Sequence, residues 1–98
     1  MADDPLPSEE DLRAALDAVG VADILVNALS AAASIGFRRV SPEARDLEQV
    51  RLAIESLRAL GPVLRESGVD DSIVRDLEQA RANLQLAYAA AVAGEGGG

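Results

Sequence analysis

The stretch Val21–Phe37, VADILVNALSAAASIGF, decides how this chain folds. It holds no Pro, and Gly first occurs at Gly36. Its only polar side chains are Asp23, Asn27, Ser30 and Ser34, separated by four, three and four residues. That spacing draws one narrow stripe on a 3.6-residue helix. A helix that is apolar around most of its circumference is buried or covered by a partner. Val21–Ile35 is therefore expected to be the most buried element, with the rest of the chain as its cover. The polar stripe reads as its solvent side; a register-setting contact with a partner helix is the alternative. Gly36 fits the residue that ends such a helix in a left-handed turn, with Phe37 making the hydrophobic contact that follows.

Toward the N-terminus, Ser8 is placed as a helix cap, with Glu9, Glu10 and Asp11 where negative charge suits the helix dipole. Leu12, Leu16 and Val19 give this first helix one apolar row. Gly20 reads as a break or bend before the central helix; the alternative is a helix carried through it at about 1 kcal/mol, since Ala22, Val26 and Leu29 continue the three-four spacing from Val19. Met1–Pro7 is expected to be a disordered acidic leader. It lacks the long apolar run of a signal peptide.

Toward the C-terminus, Ser41-Pro42-Glu43 carries the marks of a helix start, and a long helix is expected from Pro42. Leu47, Val50, Ile54, Leu57 and Leu64 keep one core phase. Gly61-Pro62 interrupts that phase and predicts a kink or restart. Ser67-Gly68 closes the segment, and Asp70-Asp71-Ser72 opens the last helix, whose seam runs Ile73, Leu77, Ala80, Leu84, Ala87 and Ala91. Val74, Leu86 and Tyr88 widen it. Two consecutive helices with this spacing and a short turn predict an antiparallel hairpin. Residues 93–98 read as a disordered Gly-rich tail. The fold expected is all-α: a bundle of three main helices over residues 8–92 with a short additional N-terminal helix.

The 98 residues contain no His, Cys or Trp, and all nine basic residues are Arg. Without His there is no ordinary neutral-pH base, without Lys no Schiff base and without Cys no activated thiol. A serine nucleophile has no common base beside it. The chain reads as a non-enzyme with no cofactor and no metal. A formal charge of −8 opposes binding to nucleic acid, which depends on phosphate neutralisation. Val21–Phe37 is too short, and with Asp23 and Asn27 too polar, for a membrane span. A cytoplasmic location is expected.

Four features invite a functional reading and have a simpler one. Arg51, Arg58 and Arg65 recur every seven residues, but Glu48 and Glu55 interleave and make a solvated, ion-paired face. Asp70, Asp71, Asp76 and Glu78 concentrate carboxylates without the spacing of a calcium loop. Helix capping accounts for Asp70 and Asp71, and pairing with Arg75 and Arg81 for Asp76 and Glu78. Arg38-Arg39 has the chemistry to hold a carboxylate or phosphate, yet cations near a helix C-terminus are stabilising anyway. Tyr88 reads as an aromatic at the core edge.

Three stretches together carry a family resemblance: LVNALSAAASIGF, DLEQVRLAIESLRAL and LEQARANLQLAYAAA. They resemble the three helices of a family of small actinobacterial helical domains of unknown function, over Leu25–Ala90. The resemblance implies a helical bundle and a bacterial origin, with which an Arg-rich, Ala-rich, Lys-free composition agrees. It implies no functional residue. The Gly61-Pro62 pair departs from the family pattern.

The function expected is a protein–protein interaction or oligomerisation module. It would self-associate as a homodimer or bind another protein through Ile24, Leu25, Ala28, Leu29, Ala32, Ile35 and Phe37. The alternative is a regulatory bundle that takes a small hydrophobic ligand in a pocket beside Phe37 and Tyr88.

Overall fold

The computed structural model describes residues 8–96. The expected leader, residues 1–7, and the last two residues of the expected tail lie outside the described residues. In chain order the elements are α1 (Glu9–Ala18), α2 (Val21–Val40), a 3-10 turn (Pro42–Ala44), α3 (Leu47–Glu66) and α4 (Asp71–Gly96). There is no β-strand among the described residues. Helices α2, α3 and α4 pack against one another in an all-α three-helix bundle.

The α3–α4 hairpin turns as its residues dictate. Ser67 ends α3 by donating its hydroxyl to the Leu64 carbonyl at 2.7 Å. Gly68 follows with φ +87, a left-handed conformation open to Gly at little steric cost. Asp70 then accepts from both the backbone N–H and the hydroxyl of Ser72, at 2.8 and 2.9 Å. Clefts fix the relative directions. Ala32 and Ile35 meet Gln49 and Leu52, so α2 and α3 are antiparallel. Asp23 and Val26 lie beside Val69 and Ile73, and Val40 beside Ala87 and Ala91, so α2 and α4 are parallel.

The core has two parts. One gathers Leu29, Ala33, Leu57, Leu64, Val74 and Leu77, and the other Val50, Ala53, Ile54 and Leu84, with Tyr88 packed at its edge. Both draw on the phase read for α3, and no polar side chain is buried among the described residues. On α4 the seam is shifted: Val74 is buried, whereas Ile73 and Leu86 are exposed.

The central helix departs most from expectation. It does not end at Gly36 but continues to Val40, with Ser41 as its cap. Gly36 is buried inside the helix, where a Cβ would stand 2.7 Å from Leu84 Cδ2 and 3.2 Å from Ala53 Cβ. This glycine allows three helices to converge rather than stopping one. Nor is α2 the most buried element. It buries Leu29, Ala33 and Gly36, while α3 buries Val50, Ala53, Ile54, Leu57, Gly61 and Leu64. Like α3, it has two helical neighbours that leave its far side open; on α2 that open side is apolar, with Ile24 and Ile35, whereas on α3 it carries Glu and Arg.

The start of α3 also moves. Ser41-Pro42-Glu43 opens only the 3-10 turn, and Asp46 caps the long helix from Leu47. Asp46 accepts from the Gln49 backbone N–H at 3.4 Å and from its side-chain amide at 2.8 Å. These bonds hold the Asp46 carboxyl below the usual carboxylate range, the Gln49 side chain contributing most. Arg45 donates to the Val40 carbonyl at 2.8 Å and ties the turn to the end of α2. Gly61-Pro62 does not restart α3, which runs unbroken to Glu66. Gly61 has no Cβ to crowd the proline ring, and Arg58 and Pro62, between which the i→i−4 hydrogen bond is lost, are both exposed residues. At the other end, α4 carries through Gly94 to Gly96, beyond the boundary expected after Val92. Propagation tolerates a glycine at about 1 kcal/mol relative to Ala.

Helix α1 stands apart. Ser8 caps it through a reciprocal pair, accepting from the Asp11 N–H at 3.0 Å while Asp11 accepts from the Ser8 N–H at 3.4 Å. Val19 and Gly20 are both extended, and Asp23 accepts from the Gly20 N–H at 3.2 Å. The chain therefore breaks at Gly20, and each helix is capped on its own side. α1 packs against no other element and buries no residue. Expected as part of the bundle, it projects from it, because the two extended residues carry it away from α2.

Candidate interaction surface

On α2 the residues Ile24, Ala28, Ala31 and Ile35 are all exposed and follow one another at spacings of four, three and four. Ile24 is 56% and Ile35 52% accessible, so this row is open along its whole length. A second row lies on α3: Leu52, 68% accessible, then Ser56, Ala59 and Val63. The helices are antiparallel, and Ile35 shares a groove with Leu52 and Ser56. The two rows thus make one face without a charged side chain in either. Arg38, exposed one turn beyond Ile35, bounds the α2 row.

The residues expected to form an interface divide three ways. Ile24, Ala28 and Ile35 lie on this face. Leu25 and Ala32 are half-buried under its edge, against the two core clusters. Leu29 is 3% accessible and belongs to the core, so it is not available to a partner. Phe37 is exposed but follows Ile35 by two residues, about 200° around the helix, and faces away from α3. Leu52, Ala59 and Val63 went unrecognised in the sequence. Their signal was a second apolar row in α3, out of phase with Val50, Ile54 and Leu57.

The other candidate groups take the simpler roles. Asp23, Asn27, Ser30 and Ser34 are all exposed, so the polar stripe is the solvent side of α2. Arg58 pairs with Glu55 at 2.8 Å, and Arg65 crosses to Glu78 on α4. Glu78 therefore pairs across the hairpin rather than with Arg75 or Arg81. Arg81 instead donates to Gln85 at 2.8 Å. The Asp70 carboxyl is held low, first by the Ser72 backbone N–H and then by its hydroxyl. No three acidic side chains converge to hold a metal among the described residues. Arg38 and Arg39 sit in the last turn of α2, where they complement its dipole. Tyr88 is half-buried; one apolar cleft lies at Ala32, Ile35 and Leu52 and another at Val40, Ala87, Ala90 and Ala91, and neither is lined by Phe37 or Tyr88 themselves.

Because α2 extends to Val40, it is longer than the sequence suggested. By length and composition alone it meets the requirement for crossing a membrane. It nevertheless carries Asp23, Arg38 and Arg39, and its Leu29 and Ala33 lock into a bundle with two charged helices. No protein-family model, curated protein or solved structure matches this chain.

Proposed function

We propose that the chain is a non-enzymatic protein–protein interaction module that works as a homodimer, joined through the open α2/α3 face. The observation that carries this reading is the uncharged double row of Ile24, Ala28, Ala31 and Ile35 beside Leu52, Ala59 and Val63. Two helices about 30 Å long and roughly 10 Å apart present on the order of 600 Å² per copy. A pair would bury about 1,200 Å², the lower bound of a specific interface. The absence of His, Lys and Cys supports a binding role over a catalytic one, with no cofactor or metal. The acidic balance supports a partner that is protein rather than nucleic acid, in water rather than in a membrane.

Light scattering over a hundredfold range of concentration tests the reading. A mass of twice the chain that falls to one chain in Ile35→Glu and Leu52→Glu, with folding retained, is the expected result. A monomer at every concentration, or a dimer indifferent to both substitutions, overturns it.

A further inference from the structure

The exposed row on α2 reads Val21, Ile24, Ala28, Ala31, Ile35, Arg38. Its inner four residues are large, small, small, large, at spacings of four, three and four. Read from the other end, the residues and the spacings are the same. Under a two-fold axis between Ala28 and Ala31, an antiparallel second copy brings Ile24 opposite Ile35 and Ala28 opposite Ala31 at both ends. Small residues at the crossing let the two backbones approach closely, and the average spacing is that of an antiparallel coiled-coil seam. A parallel second copy would instead stack Ile24 on Ile24 and leave the ends of the row unlike in charge and unpaired.

Charge agrees with the antiparallel choice. In this register Arg38 lies beside Val21 of the second copy, where that copy's α1 ends. α1 carries Glu9, Glu10, Asp11 and Asp17 against Arg13, and its last turn has no basic side chain to offset its C-terminal carbonyls. An arginine thus meets a negative helix end. A parallel pair would set Arg38 against Arg38 and one acidic α1 against the other.

Resting on the self-association reading above, we infer that the partner is a second copy of this chain with its α2 antiparallel, in the register that pairs Ile24 with Ile35. The arrangement also accounts for α1, which touches nothing in its own chain and emerges at the Arg38 end of the other copy. The α3 row, with Leu52 and Val63, flanks the seam.

The chain has no cysteine, so one introduced thiol reports one contact. Ile24→Cys and Ile35→Cys variants are mixed in equal amounts and oxidised mildly. The expected product is the mixed 24–35 disulfide, with little cross-linking of either variant alone. In this register two copies of position 24 stand eleven residues apart along the axis, about 16 Å, beyond disulfide reach. Arg38→Glu should weaken the dimer about two- to fivefold, the size of an exposed ion pair, and Asp17→Arg in the same chain should recover most of the loss. Efficient 24–24 or 35–35 disulfides would overturn the proposal in favour of a parallel pair. A dimer by light scattering that yields no 24–35 product would overturn this register while leaving self-association standing. A monomer at all concentrations would remove both.

Discussion

Helices α2 and α3 are each 20 residues long and lie side by side, yet they spend their apolar residues in opposite ways. α3 is the more mixed in sequence, with Glu and Arg along one side. It turns nearly all of its large apolar residues inward, Leu52 and Val63 excepted. α2 is the more apolar, and leaves Val21, Ile24, Ile35 and Phe37 in the open. Each has two helical neighbours and an open side, and the two differ in what that open side is made of. An apolar surplus beyond the covered half is surface that a partner can use.

Substitutions that separate the two kinds of apolar residue should show the largest effects. Leu64→Ala in α3 removes a fully buried side chain and should cost about 2–5 kcal/mol, a loss read directly in the thermal melting midpoint. The equivalent truncation on α2, Ile24→Ala, should change the stability of the isolated chain by less than about 0.5 kcal/mol. If the two lower the midpoint equally, the division between core and open face is wrong.

A smaller effect sharpens the place where α2 does join the core. Gly36→Ala would set a methyl against Leu84 and Ala53, and should destabilise by about 1–3 kcal/mol. Gly94→Ala meets nothing within 4 Å and should leave the bundle unharmed or slightly more stable, by up to about 1 kcal/mol. Denaturant unfolding of both variants checks the contrast. An unchanged midpoint for Gly36→Ala would mean that α2 and α4 stand farther apart than described.

The smallest effect concerns the ends of the helices. The carboxyls of Asp46 and Asp70 titrate below their unfolded values, since their hydrogen bonds favour the charged form. Their contribution is present above the unfolded carboxylate range, and is lost as pH falls below that range through the lower folded values. Asp46→Asn keeps a capping acceptor and removes the charge, so its melting midpoint should fall less steeply on acidification than that of the parent chain. Equal slopes would show that the Asp46 cap does not contribute to acid sensitivity.

Most of the fold was legible because periodicity and caps act locally. The three-four spacing from Val50 to Leu64, the Ser8 cap, the break at Gly20 and the Ser67-Gly68 turn each follow from a few neighbouring residues. What was not legible depends on contacts between distant parts of the chain. Gly36 looks like a helix terminator in sequence, and only the approach of Leu84 and Ala53 makes it an interior residue. Pro62 looks like a breaker, yet α3 runs through it because the residues on both sides, Leu57 and Leu64, are locked in the core. The interface was half legible for a related reason. Ile24, Ala28 and Ile35 were identified from their place on an apolar helix, but Leu29 and Phe37 differ from them only in which neighbour they face. The α3 half was hidden because Leu52 and Val63 lie out of phase with a stronger core pattern.

The separation of α1 has a thermodynamic consequence. A ten-residue helix without tertiary support obeys helix–coil statistics, and at that length it is marginal in water even with a good cap. Its helical content therefore does not share the cooperative transition of α2–α4. It should melt gradually, at lower temperature, and independently of denaturant effects on the core. Any surface that covers Leu12 and Leu16 adds to its helicity. The far-ultraviolet signal of this one segment then becomes a gauge of whether the chain is alone or in company.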